Sequence, residues 1–172
     1  MKFTSLAVGI AFAALPLIPT SSFGQGESPP PIVDPQVFAD SAASSNTFEI
    51  QSSKMALDAS QNSDVVAFAE QMLADHTDAG EQMLASAQAD GITPATEIEE
   101  LHQAQLDELA ALEGEAFDDE YVAAQVAAHR AAVSLFQSFA TDGQDSNLKT
   151  FAAETLPTLE RHLDHIVQIA EQ

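Results

Sequence analysis

Residues 65–87 read VVAFAEQMLADHTDAGEQMLASA. Val65, Phe68, Met72, His76, Ala79, Met83 and Ala87 recur every three or four positions, which is the period of an amphipathic helix. The stripe is apolar except at its centre, where His76 stands. An ionisable side chain facing a core must be paired, neutral or bound to something. Asn62-Ser63-Asp64 supplies a helix start and Gly91 a stop, so the spacing predicts a helix over 64–90.

Three more stretches share this period. The first, 35–60, opens at Asp34-Pro35, a cap followed by proline at the first helical position. Its stripe is Phe38, Ala42, Ser45, Glu49, Ser53 and Ala56, small and polar for a packing face. The third, 119–141, follows Asp118, with Phe117 and Val122 spaced as a hydrophobic staple. Its stripe is Val122, Gln125, His129, Ala132, Phe136 and Phe139. The fourth, 146–170, carries Leu148, Ala152, Thr155, Leu159, His162, Ile166 and Ile169. Pro157 lies within it and is expected to kink or split the helix. A shorter helix over 97–112 places Ile98, Leu101, Leu109 and Leu112 inward, with the rest acidic. Four long helices around one core predict an all-α four-helix bundle. The short helix is either a separate cap or part of a long crossover.

Each long stripe holds one group able to bind a metal: Glu49, His76, His129 and His162. Counted from the turns, all four fall within about six residues of one level, roughly 9 Å along the bundle axis. Imidazole nitrogens with a carboxylate suit a single ion of zinc, copper, iron or nickel. Gln125, Asp75 and Glu160 are placed to orient the imidazoles. His165, three residues after His162, is an optional ligand at the stripe's edge. Glu99 and His102 share a Glu-x-x-His spacing, but on the acidic short helix this reads as a solvated face. Two other readings stay open. One is a non-catalytic structural or interaction protein with a hydrogen-bonded histidine cluster. The other is a metal-dependent enzyme with an open coordination position.

Composition narrows the field. The chain has 172 residues, 45% of them apolar, enough for one domain with a core. Its net charge is −22, with only five Lys and Arg. Nucleic acid and anionic membrane surfaces are excluded as partners on that ground, and self-repulsion favours a monomer. With no Cys there are no disulfides, thiolate ligands or lipid-modified cysteines. There is no phosphate-binding glycine loop, no HExxH and no Gly-x-Ser-x-Gly. Lys2, the apolar run LAVGIAFAALPLI from Leu6 to Ile18, and the small residues Ser21, Ser22 and Gly24 read as a signal peptide over 1–24. A Pro-rich leader, 25–34, then precedes the domain, 35–172. Export to the periplasm or beyond is expected, and the mature chain has no segment apolar enough to span a bilayer.

Several stretches together carry a resemblance. They are Asn46-Thr47-Phe48-Glu49-Ile50, Phe68-Ala69-Glu70-Gln71-Met72 and Asp75-His76-Thr77. Further along come Gly114, Phe117-Asp118, Tyr121, Gln125 and His129, then Phe151-Ala152, Leu156-Pro157-Thr158-Leu159 and His162-Leu163. Over about 37–169 the chain resembles the DUF4142 family of secreted bacterial proteins. The resemblance implies a ferritin-like four-helix core and a periplasmic or exported location, and it implies no defined activity. Di-iron members of the wider ferritin-like class carry Glu on two helices and Glu-x-x-His on the other two. Here Leu73, Val126 and Leu159 stand three residues before the inward histidines, so an ordinary di-iron site is not expected. Metal binding or stress protection is the expected role, rather than turnover.

Overall fold

The structure, a computed structural model, describes residues 34–172. The expected signal peptide and nearly all of the leader lie outside the described residues. Five helices follow in order: α1 Pro35–Ala59, α2 Ser63–Ala89, α3 Glu100–Leu109, α4 Gly114–Asp142 and α5 Asn147–Ala170. Among the described residues there is no strand, and no helix is long and apolar enough to cross a membrane.

The helix ends follow local chemistry. The Asp34 carboxylate accepts from the N–H groups of Gln36 and Val37 at 2.9 and 3.1 Å. Asn62 caps α2 through Asp64 N–H. Gly91, at φ 74°, ends α2 with Ile92 N–H on Ala87 O and Gly91 N–H on Gln88 O, a Schellman closure. Ser146 caps α5 through Lys149 N–H. Asp90, just past α2, accepts from the N–H groups of Asn147 and Leu148 at 3.0 and 2.8 Å, so it also holds the start of α5. Replacing Asp90 with Ala should cost about 1–2 kcal/mol. Urea unfolding at neutral pH measures it, and an unchanged midpoint would contradict this role for Asp90.

The sides of the bundle are α1–α2, α2–α5, α5–α4 and α4–α1. Along α1 and α4, Ser53 meets Tyr121, Ser52 meets Gln125, Glu49 meets His129 and Phe38 meets Phe139. One number falls as the other rises, so α1 and α4 are antiparallel. In α2 and α5, Asp90 meets Leu148, Asp75 meets His162 and Phe68 meets His165, again antiparallel. Hence α2 and α4 are parallel and sit on a diagonal, and the chain must travel the bundle's length between them. α3 makes that crossover, running along α1. This single long crossover is the ferritin-like connection, and it decides between the two roles left open for the short helix.

Several sequence expectations are corrected. α4 begins at Gly114, whose φ is 60°, and not after Asp118. Phe117 is no staple. It lies inside the helix, buried and stacked on Tyr121 one turn later, so the apolar stripe simply extends backwards. On α3, Leu101 is 67% exposed and Leu106 takes its place against Phe48, Ala124 and Ala128. His102 is not on a solvated face: its Nδ1 is 2.8 Å from Ser44 Oγ and its ring stacks over Phe48, tying α3 to α1. Finally, α5 is not split at Pro157 but continues through it as one helix. Pro157 and Ala153, whose carbonyl loses its N–H partner, are both exposed, so water replaces the missing bond.

The apolar core is divided. One cluster, around Phe38, Phe136, Phe139, Leu148 and Phe151, fills the end of the bundle near the start of α1. Another, around Val65, Phe68, Met72, Phe117 and Ile166, fills the opposite end. Between them lies a polar layer. The small residues predicted on α1, Ala42 and Ser53, together with Ser52, which was not predicted, explain how it fits, because they leave room for large side chains from the facing helices.

Candidate metal centre

The polar layer contains His76 from α2, His129 from α4 and His162 from α5. They are 7%, 0% and 2% exposed. The ring centroids are 5.8, 5.6 and 5.5 Å apart, nearly an equilateral triangle. One nitrogen from each ring lies within 4.8 Å of the others.

Each imidazole is tied back by its other nitrogen. His76 Nδ1 is 3.1 Å from Asn46 Oδ1 on α1. His129 Nδ1 is 3.0 Å from the Gln125 carbonyl, one turn earlier on α4. His162 Nε2 is 2.8 Å from Asp75 Oδ2 on α2. All three partners are acceptors, so each of these nitrogens carries the hydrogen and donates it. The tautomers follow: the lone pairs are on His76 Nε2, His129 Nε2 and His162 Nδ1. These three atoms are buried and have no hydrogen-bond partner. Burial pushes the His76 pKa down to about 3, and the neighbouring His129 and His162 push in the same direction. Burial also lowers His162, although Asp75 opposes the fall. Both rings are therefore neutral at neutral pH, the form that binds metal.

Three nitrogens at 2.0–2.1 Å from one zinc or copper ion would be about 3.3–3.6 Å apart. The rings would need to close by roughly an ångström, a rotamer-scale adjustment within a polar layer.

Glu49 borders the triangle without joining it. Its Oε1 is 3.6 Å from His129 Nδ1, the nitrogen already bonded to Gln125. It is 1% exposed, and its Oε2 has no partner. Burial raises its pKa, opposed by His129 and by the Gln125 side chain. Beyond it a polar chain continues, with Gln125 Nε2 donating to Ser52 Oγ and Ser53 Oγ 3.1 Å from Tyr121 Oη.

Of the orienting groups expected from sequence, Asp75 serves His162 across the helix seam and not its neighbour His76. Gln125 acts through its backbone carbonyl. Glu160 is exposed and takes no part. His165 is turned edge-on to the Phe68 ring and lies outside the cluster. Asn46 was not anticipated. It lies three residues before Glu49, and the only signal was a side-chain amide near the inner face of α1.

Gly80 makes room for Asn46. A Cβ at Gly80 would lie 2.7 Å from Asn46 Nδ2, so that amide would have to move. Alanine in the middle of a helix is favoured over glycine by about 0.5–1 kcal/mol. The Gly80→Ala variant sets that gain against the lost Asn46–His76 hydrogen bond, worth about 1–3 kcal/mol, so it should be no more stable than wild type, and any metal held by the three histidines should bind about tenfold more weakly, as loss of an orienting partner does. Thermal unfolding and metal titration of one preparation would show both. Unchanged affinity would mean that Asn46 does not position His76.

The family described as "Domain of unknown function (DUF4142)" matches residues 21–169. The chain belongs to this family. No curated protein matches it. Among solved structures it is similar to CopM in the Cu(II)-bound form, with a TM-score of 0.66 and 17% sequence identity. The similarity covers 80% of this chain and 95% of that one, and it supports the helical-bundle fold.

Proposed function

We propose that this DUF4142 protein binds one transition-metal ion through His76 Nε2, His129 Nε2 and His162 Nδ1. The observation that carries this reading is three convergent, buried imidazoles with no partner on the facing nitrogens. A buried polar atom left unpaired costs about 1–3 kcal/mol. Three in one layer are expensive in a fold whose whole stability is about 5–15 kcal/mol. A purely structural histidine cluster would also pair its inward nitrogens, with one another or with a neighbouring group. Here every ring is instead turned so that its bonded nitrogen faces outward from the triangle.

Copper(II) is the first ion proposed. It heads the affinity order for nitrogen sites, and CopM, whose fold this chain shares, is a Cu(II)-bound structure. Zinc is the competitor, since three imidazoles also suit it. Glu49 is assigned as the carboxylate behind His129. It offsets the charge of the bound ion. Asp75 does the same behind His162. Together with the sequence-based expectation of export, this gives a periplasmic or secreted protein that sequesters metal and protects against it, not one that turns over a substrate.

Native mass spectrometry of untagged protein after exposure to Cu(II) and removal of loose metal tests the reading. One ion per chain is expected. No retained ion would overturn it. Glu49→Gln should retain the ion with reduced affinity, which separates a charge partner from a ligand.

A further inference from the structure

Two hollows share a wall on the α2–α5 seam, the inner one enclosed by all four long helices and the outer one open between α2 and α5. The inner one, of about 30 Å³, lies one helical turn from the histidine layer and includes His76 and Asn46 in its lining. The outer one is a surface cleft bordered by Asp75, Asp78 and Glu154. Ala79 and Thr155 line both. From this arrangement we infer that the acidic cleft between α2 and α5 is the route by which a divalent transition-metal cation reaches the three histidines, with the small inner hollow as its last station. The inference rests on the metal-binding reading above.

Each part fits a cation path. Asp78 and Glu154 are exposed and have no ion-pair partner among the described residues. Asp75 is 41% exposed, yet its Oδ2 holds His162 Nε2, so the cleft floor already touches the site. The nearest cation is held back along its own helix, with Arg161 bonded to the Pro157 carbonyl and the Thr158 hydroxyl. The partition between the hollows is formed by two small side chains, the Ala79 methyl and Thr155. The inner hollow has room for about one or two waters, so an ion arriving there must have shed most of its shell. The atom awaiting it is in the same wall: His76, with Nε2 unpartnered. Most of the remaining wall is apolar, including Ala132, Phe136, Phe151 and Leu159, and holds no other imidazole or carboxylate.

Rates test this route where affinities do not. The chain has one tyrosine, Tyr121, and no tryptophan, so Cu(II) uptake by the metal-free protein can be followed as quenching of that emission, with d–d absorption as a second readout. In stopped flow at about 10 mM ionic strength, where charges act over roughly 30 Å, Asp78→Asn/Glu154→Gln should slow association about five- to tenfold. Dissociation should be unchanged. The difference should vanish at about 1 M salt, where the screening length is near 3 Å. A control pair at the far end of the bundle, Glu113→Gln/Glu115→Gln, should leave the rate near wild type. Thr155→Leu, which fills the shared wall, should slow association and dissociation together. Equal rates in the cleft variant and wild type, or equal slowing by both charge pairs, would overturn the route while leaving the site intact. If wild type takes up no Cu(II), the site reading falls, and the route with it.

Discussion

Replacing His129 with Ala should abolish metal uptake and, with it, the stability that metal confers. His129 is the fully buried member of the triangle and the one that links the layer to Glu49. A ligand that binds only the folded chain stabilises it by about 4 kcal/mol at a free concentration a thousand times Kd. The wild-type urea midpoint should therefore rise on adding Cu(II), whereas that of H129A should not move. The metal-free variants are less easily ranked by eye, because alanine removes an unpaired nitrogen but also leaves a void. The informative quantity is thus the metal-dependent shift within each protein. A shift in H129A equal to that of wild type would place the ion elsewhere, on the surface carboxylates.

The second large effect is on pH dependence in the metal-free state. His76 titrates near pH 3 when folded and near 6.5 when unfolded. As pH falls below 6.5 the unfolded chain takes the proton first. The stability associated with a neutral His76 is therefore complete above pH 6.5 and is lost on acidification toward pH 3. The loss is about 1.4 kcal/mol per pH unit. His162 works in the same direction, since its pKa is also lowered. Glu49 works in the opposite direction: its raised pKa gives stability at low pH that is lost as pH rises through and above its ordinary value of 4.5. Between pH 4.5 and 6.5, two histidines oppose one carboxylate. The surface charge of this acidic chain also changes in that window, so the difference between wild type and His76→Leu isolates the group. Urea midpoints from pH 5 to pH 7 should show wild type losing stability on acidification faster than the variant, with the difference approaching roughly 1.4 kcal/mol per unit below pH 6. Parallel curves would mean that His76 is not held neutral by burial.

Much of this architecture was legible in the sequence because helical period and caps are local. Asp34-Pro35, Asn62, Gly91 and Ser146 act where their chemistry puts them. The inward histidines were legible for the same reason: His76, His129 and His162 interrupt apolar stripes. Three things were not legible. The use of Phe117 depended on tertiary packing, since a staple and a stripe place an aromatic ring at the same position. The passage of α5 through Pro157 depended on that residue facing water, which the period alone left uncertain beside Leu156 and Leu159. The division of labour inside the site depended on helix register. Asp75 is next to His76 in sequence, but a helix turns adjacent residues about 100° apart, so its carboxylate meets His162 on the neighbouring helix. Glu49 was read as a fourth ligand from its level alone. The structure puts its carboxylate beside the Nδ1 of His129, which favours a charge partner.

The family match spans residues 21–169 and the similarity to CopM rests on the bundle as a whole, and neither shows what the site binds. The site therefore stands as a separate proposition about three nitrogens. X-ray absorption at the copper edge, on protein loaded with one equivalent of Cu(II), addresses those nitrogens directly. A shell containing three imidazoles, with nitrogens at about 2.0 Å and the outer-ring scattering that imidazole produces, is the expected result. A shell of oxygen atoms alone, the signature of binding to surface carboxylates, would contradict it.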